Sequence, residues 1–325
     1  WFSSGSPNDP VIGWVDTKKW DETHDEAASQ GWAPLVIDVN GDGKAGPYVE
    51  PNQPVDPKKD KRVLQGLYSV SANPVDGSIW AVVLGFPGTA TRFDPKTKLS
   101  EFYAVPKEGI SLRGGDIGAD GKLWGSGSAG HLIEFDRGKC KGPLNGPKAT
   151  GDHCPEGWSL YKYPGPGFDG IGENSAESSY YTWVDQHNIF GLGENTPVST
   201  GNLNDGLIAM KKDGKMVVLR VPYPMGFYAK GLDGRIDDPK AGWKGRGIWA
   251  ANGDRTPWLI EGGKGVAQFV HVLEAARLVD GHGAHHQFRQ ARRESGVHFG
   301  GRAGLALHVL VHHRHVVPAG VGRNA

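Results

Sequence analysis

Three oxygen-bearing side chains at alternate positions, Asp38, Asn40 and Asp42, followed directly by Gly43, form the pattern in this 325-residue sequence best suited to chemistry. The order D-x-N-x-D-G is the first half of a calcium loop. Positions 1, 3 and 5 set hard oxygen ligands on one concave face, and glycine at position 6 permits the turn that aims the next carbonyl, that of Lys44, inward. The closing acid belongs at position 12, which is Val49, while Glu50 stands one residue late. The pattern predicts a Ca2+ site made by Asp38, Asn40, Asp42, the Lys44 backbone and Glu50, against the alternative of an Asp/Asn/Gly turn that binds nothing. The acidic stretch from Asp21 to Glu26 reads as solvated surface. Cys140 and Cys154 are the only cysteines, and they are joined by a segment of loop composition. They read as one surface disulfide, against two free thiols, because no C-x-x-C, haem-attachment or zinc-finger spacing is present.

Other chemistries lack their motifs. There is no G-x-S-x-G elbow, no Walker loop and no dinucleotide fingerprint followed by an acid at the required distance. A formal net charge of zero gives no electrostatic footprint for nucleic acid or an anionic membrane. No run of 18 apolar residues is present, so no membrane-spanning helix is expected. The chain begins Trp1-Phe2 without a leader pattern. With the expected bridge, this predicts a periplasmic or secreted protein whose leader is absent from this chain.

The elements that must position these residues are short. With 50 Gly and 22 Pro the chain is rich in turns, and its apolar fraction of 38% is enough for a packed core. Four segments share a turn followed by an aliphatic–aromatic pair: Asp76 to Trp80, Asp120 to Trp124, Asp185 to Phe190 and Gly245 to Trp249. After the first two comes a second strand ending in an acidic turn, Ala90 to Asp94 and His131 to Asp136. Further strands close on proline, Leu99 to Pro106, Trp158 to Pro164 and Val217 to Pro222. A period of roughly 40 to 50 residues with several short strands and a recurring aromatic marks an all-β propeller. Strands this short cannot build a core singly, so each Trp is expected between neighbouring blades.

The Asp-Gly-x-Ile/Leu-Trp turn, with the following Arg92-Phe93-Asp94-Pro95 or Glu134-Phe135-Asp136, resembles the repeats of virginiamycin B lyase-like (streptogramin lyase) and NHL-type propellers. The strings Ser175 to Asp185, Val221 to Tyr228 and Gly234 to Pro239 are similar to bacterial proteins of that superfamily labelled by a carboxypeptidase regulatory-like domain. The resemblance covers residues 1–264, with an insertion over 15–62 that carries the calcium loop. It implies a seven-bladed parent, of which four or five blades are visible in a fragment.

The lyase resemblance further implies elimination across an ester C–O bond, with a histidine base and Mg2+ held by carboxylates. Phe190 to Asn195 is the nearest match to the lyases' Trp-Phe-Thr-Glu-Asn stretch and supplies one carboxylate, Glu194. The later stretch Trp249 to Asp254 has no histidine, so the active site does not carry over. His187, Glu194 and Glu177 stay as weak catalytic candidates. Tyr180, Tyr181, Arg235, Trp243 and Arg255 are candidates for a ligand-binding face. Two functions stand: a calcium-stabilised propeller that binds a small molecule or protein, and a metal-dependent lyase. Clustering of His187, Glu194 and Glu177 would favour the lyase.

Residues 265–325 differ in kind. They hold 9 of the 13 histidines and no Lys, Ile, Tyr or Trp. This non-propeller tail reads as translation in a shifted frame, as a disordered or helical appendage with Phe269 to Leu278 as an amphipathic helix, or as a His-rich metal binder.

Overall fold

The computed structural model describes residues 1–5, 8, 10–128, 130–144, 154–164, 179–201, 206–220, 229–235, 240, 242, 244–252, 270–275 and 307–311. Short strands separated by Asp/Asn turns dominate them. At the Asp-Gly turns, Asp76 Oδ1 accepts from Ser78 N (2.9 Å), Asp120 Oδ1 from Lys122 N (3.3 Å) and Asp213 Oδ1 from Lys215 N (3.1 Å). Gly77 and Gly121 take positive φ (71° and 80°), a conformation that glycine adopts without a Cβ penalty. The acidic turns after Phe93 and Phe135 work the same way. Asp94 accepts from Lys96 N (2.8 Å) and Asp136 from Gly138 N (2.9 Å).

Six strands precede the repeats. β1 (Phe2–Ser3), β2 (Val11–Val15) and β3 (Gln30–Pro34) form one antiparallel sheet. β4 (Val36–Ile37), β5 (Tyr48–Val49) and β6 (Asp60–Arg62) form a second, in the order β4-β6-β5. Between β2 and β3 run two short exposed helices, α1 (Thr17–Thr23) and α2 (Glu26–Ser29), capped by the Asp16 and Asp25 carboxylates. Residues 15–62 make two excursions divided by β3, which returns to the sheet because Ile12 and Ala33 need a common buried face.

Four antiparallel meanders follow. The first is β7 (Leu67–Ala72), β8 (Ile79–Val83), β9 (Thr89–Phe93) and β10 (Ser100–Ala104). The second is β11 (Leu112–Ile117), β12 (Leu123–Gly127), β13 (His131–Phe135) and β14 (Trp158–Lys162), and the third is β15 (Ser179–Asp185), β16 (Thr196–Gly201), β17 (Gly206–Met210) and β18 (Met216–Arg220). The fourth is β19 (Ala229–Arg235), β20 (Gly247–Asn252), β21 (Val270–Ala275) and β22 (Leu307–Val311). A parallel bridge, Gly114 with Tyr181, joins the second and third into one eight-stranded sheet. The helix allowed over 269–278 does not form across 270–275. β21 instead pairs with β20, whose backbone groups need a partner.

The sheets pack face to face around separate cores. Ile12, Leu35, Leu67, Ile79 and Phe93 fill the first; Trp80, Tyr103, Leu112, Phe135 and Trp158 the second. Trp124, Leu132, Tyr163 and Ile208 fill the third; Trp183, Phe190, Val198, Leu232 and Ile248 the fourth. Trp80, Trp124, Trp158 and Trp183 therefore lie between sheets as expected, while Trp249 is exposed. The Cys140–Cys154 disulfide is formed. It is not a surface bridge, because Cys154 is buried in the Trp80–Phe135 core.

One repeat lies elsewhere than the sequence suggests. Ile189 and Phe190 are not in a strand but in the turn between β15 and β16. The buried Asp185 carboxylate accepts from both of their N–H groups, at 2.8 and 3.0 Å. This turn tucks the aromatic pair into the core before β16 begins.

Candidate functional site

Each meander begins with a strand that lies against the first strand of the next, β7 on β11, β11 on β15 and β15 on β19. All four first strands carry a register shift against their second strand. It falls between Leu67 and Ser69, Leu112 and Gly115, Ser179 and Thr182, and Ala229 and Gly231. A bulge re-aims the side chains beyond it. Within the shifts stand Tyr68, Arg113 and Tyr180: the Tyr68 and Tyr180 hydroxyls bond each other, and the Arg113 guanidinium lies 5.2 Å from the Tyr180 ring centre. At and beyond the shifts, the four strands line a cleft of about 380 Å³.

The cleft is built strand by strand. β7 gives Val70 and Ser71, β11 gives Asp116, β15 gives Tyr181 and Trp183, and β19 gives Leu232 and Asp233, with Gln186 and His187 at the rim. Convergence of successive first strands on one axial cleft is the signature of a closed radial array of sheets. The fold is a partial β-propeller.

No protein-family model matches the chain, and no curated protein matches it. Among solved structures it is similar to a virginiamycin B lyase from Staphylococcus aureus, at 13% identity and a TM-score of 0.40 over 60% of this chain and 54% of that one. A streptogramin B lyase matches at 12% identity and a TM-score of 0.39, over 67% and 64%. The extracellular domain of BT4673 from B. thetaiotaomicron matches at 12% identity and a TM-score of 0.41, over 78% of this chain and 27% of that one. This chain thus spans about half the length of the first of these structures.

The electrostatics of the cleft are set by two carboxylates. Asp116 accepts from Ile117 N (2.8 Å) and Val184 N (3.0 Å), so its position is fixed by main chain from two blades. Burial pushes its pKa up, and the nearby Asp233 charge pushes it the same way. The Tyr181 hydroxyl is likewise held protonated, by burial first and then by Asp116 and Asp233. No lysine or arginine is among the described lining residues. Gln186 donates to the Ile117 carbonyl (2.8 Å), and Arg246 reaches the His187 carbonyl (3.3 Å) from outside.

The sequence candidates are thus divided. Tyr181 and His187 line the cleft, and Tyr180 packs under Arg113. Glu194 is exposed in the β15–β16 turn and does not line it. Glu177, Trp243 and Arg255 lie outside the described residues, as does the side chain of Arg235. Asp116 and Asp233 escaped sequence reading. Asp233-Gly234 has the look of a turn dipeptide, yet both residues lie within β19, and only the bulge shared by the four first strands marks them.

The Asp38 loop stands apart. Asp38 is buried and accepts from Gly41 N (2.5 Å) and Gly43 N (3.0 Å). Asn40 Oδ1 accepts from Asp42 N, and Asp42 Oδ1 from Lys44 N, both at 2.9 Å. A Cβ on Gly43 would meet nothing, so its φ of 74° is what calls for glycine there. Glu50 turns to Arg62 (3.4 Å), with its side chain 45% exposed. The carboxylate nearest the loop is Asp60, on β6. Ile37 pairs with Lys61, so the antiparallel register carries Asp38 opposite Asp60. Asp60 is fully buried; Oδ2 accepts from Gly46 N (2.7 Å), the Val39 N–H also lies close enough to the carboxylate to lower its pKa, and Oδ1 makes no hydrogen bond of normal geometry. Burial, then Asp38 and Asp42, raise its pKa. Among the described residues, no three His, Cys, Asp or Glu side chains already stand together as a metal cluster.

Proposed function

We propose that this chain is an extracytoplasmic binding propeller whose axial cleft takes a small cationic ligand carrying an amine or guanidinium group. One observation carries the reading: two carboxylates, from the second and fourth meanders, face a cleft without a lysine or arginine among its described lining. Asp116 is buried beside a like charge without a counter-ion, which is costly, and a bound cation relieves it. Tyr181 and Trp183 offer aromatic faces and Val70 and Leu232 apolar wall, the usual surroundings of a bound organic cation. The disulfide supports an oxidising compartment.

The lyase alternative needs a base and carboxylates gathered at one point. Of its described candidates, His187 alone lines the cleft. Calorimetric titration of the full chain with benzamidine, arginine and tetramethylammonium, and with acetate as control, tests the binding reading. Saturable binding of a cation that weakens at least about tenfold in Asp116→Asn and Asp233→Asn is the expected result. Acetate binding, or cation binding indifferent to both substitutions, overturns it. Magnesium-dependent cleavage of a streptogramin ester that is lost in His187→Ala would establish the lyase instead.

A further inference from the structure

We propose that Asp60, rather than Glu50, closes a calcium site begun by Asp38, Asn40 and Asp42. This inference stands independently of the axial cleft, which shares none of these residues.

A fully buried carboxylate oxygen without a hydrogen bond of normal geometry is costly, and Asp60 Oδ1 is one. The other oxygen of the same carboxylate is held by the Gly46 N–H at 2.7 Å, so the group is fixed in orientation. Its register partner across β4 and β6 is Asp38, itself buried and at position 1 of the loop. Asp60 therefore lies opposite the first residue of a loop whose sequence sets oxygen-bearing side chains at alternate positions.

The loop hydrogen bonds leave room for a metal. Each carboxylate or amide oxygen has two lone pairs, and the N–H groups of Gly41, Gly43, Asp42 and Lys44 take up only part of them. Asp38, Asn40 and Asp42 oxygens, the Lys44 carbonyl and Asp60 Oδ1 make an all-oxygen set with three negative charges. That chemistry selects a hard divalent cation. A loop holding unevenly placed oxygens suits calcium, which accepts irregular geometry, better than magnesium, which requires a near-ideal octahedron. Glu50 is unnecessary to this site. It is engaged with Arg62 and partly in solvent, and it follows Val49, the buried residue of β5.

The test is calorimetric titration of the chelator-stripped full chain with calcium chloride, magnesium chloride serving as control, alongside thermal melts. The expected result is one saturable calcium site and a calcium-specific rise in Tm. Asp60→Asn keeps an acceptor for the Gly46 N–H while replacing Oδ1 by an NH2, so it weakens binding at least about tenfold. Glu50→Gln leaves the affinity within about twofold. Should Asp60→Asn fold poorly, Asp42→Ser at the exposed tip supplies the same loss on a surface residue. Absence of a saturable calcium heat in the wild-type chain overturns the proposal, as does wild-type affinity in Asp60→Asn or a tenfold loss in Glu50→Gln.

Discussion

Buried carboxylates in this protein differ by what they are paired with. Glu101 is fully matched: Arg137 grips it through two bonds of 2.7 Å, Arg92 adds a third at 3.3 Å, and Tyr103 donates its hydroxyl. This cluster ties β10 to the turn after β13 in the next blade. Glu101→Gln takes the counter-charge from Arg137, while Arg92 keeps Asp76 at 3.0 Å, and is expected to cost about 3–5 kcal/mol, measurable by urea unfolding. Asp116, by contrast, is held by neutral N–H groups beside another carboxylate, so its pKa lies above the ordinary 3.8. For an acid with a raised folded-state pKa, ionisation opposes folding as pH rises through the window between the unfolded and folded values, and protonation favours it. A cationic ligand needs the ionised form. Its affinity therefore falls as pH drops through the raised value, and that fall disappears in Asp116→Asn, checked by titrations from about pH 8 to about pH 4. None of this pairing was legible in the sequence. Asp116 and Glu101 are ordinary acids in strand-like segments, and only a fold decides whether an arginine or an aspartate ends up opposite.

At the scale of elements, the shared bulge and two glycines shape the cleft. A Cβ on Gly114 would sit 2.1 Å from the Tyr181 ring, and one on Gly234 would sit 2.4 Å from Trp183. These glycines are there for close approach. Gly114→Ala is expected to displace Tyr181, destabilise by about 1–3 kcal/mol and lower cation affinity, read by denaturation and titration together. The disulfide pins the long β13–β14 connection across a sequence separation of 14. Cys140→Ser with Cys154→Ser is expected to lose about 3 kcal/mol, compared by urea unfolding under non-reducing conditions. The second to fourth strands of the first two meanders were legible because Asp-Gly turns and β-branched or aromatic pairs are local signals. The first strands were not. Segments such as Leu112-Arg-Gly-Gly-Asp-Ile117 have little alternation, since the bulge breaks their period and both faces meet protein.

Across the whole molecule, stability passes from sheet to sheet. Each core is shared by two neighbours, and a buried hydroxyl network of Ser126, Ser179, Thr182, Ser199 and Tyr163 adds bonds of 2.8 Å between the second and third meanders. In such an array energy is lost mainly at the affected interface. Phe135→Ala, at the centre of the Trp80–Trp158 core, is expected to cost about 3–5 kcal/mol. Hydrogen exchange should show lost protection in the first and second meanders, with a smaller change in the fourth.

The sequence by itself determined the all-β class, the turn chemistry, the recurring blade unit and the alternating oxygen-bearing side chains of the Asp38 loop. All of these follow from backbone preferences and spacings within a few residues. Tertiary structure alone decided which side chains meet: Asp116 with Asp233 across the axis, Asp60 with Asp38 across β4 and β6, and Phe190 in a turn instead of a strand. Those encounters depend on strand register and on how blades stack. Both are set by the summed burial of many residues, and no local motif encodes that sum.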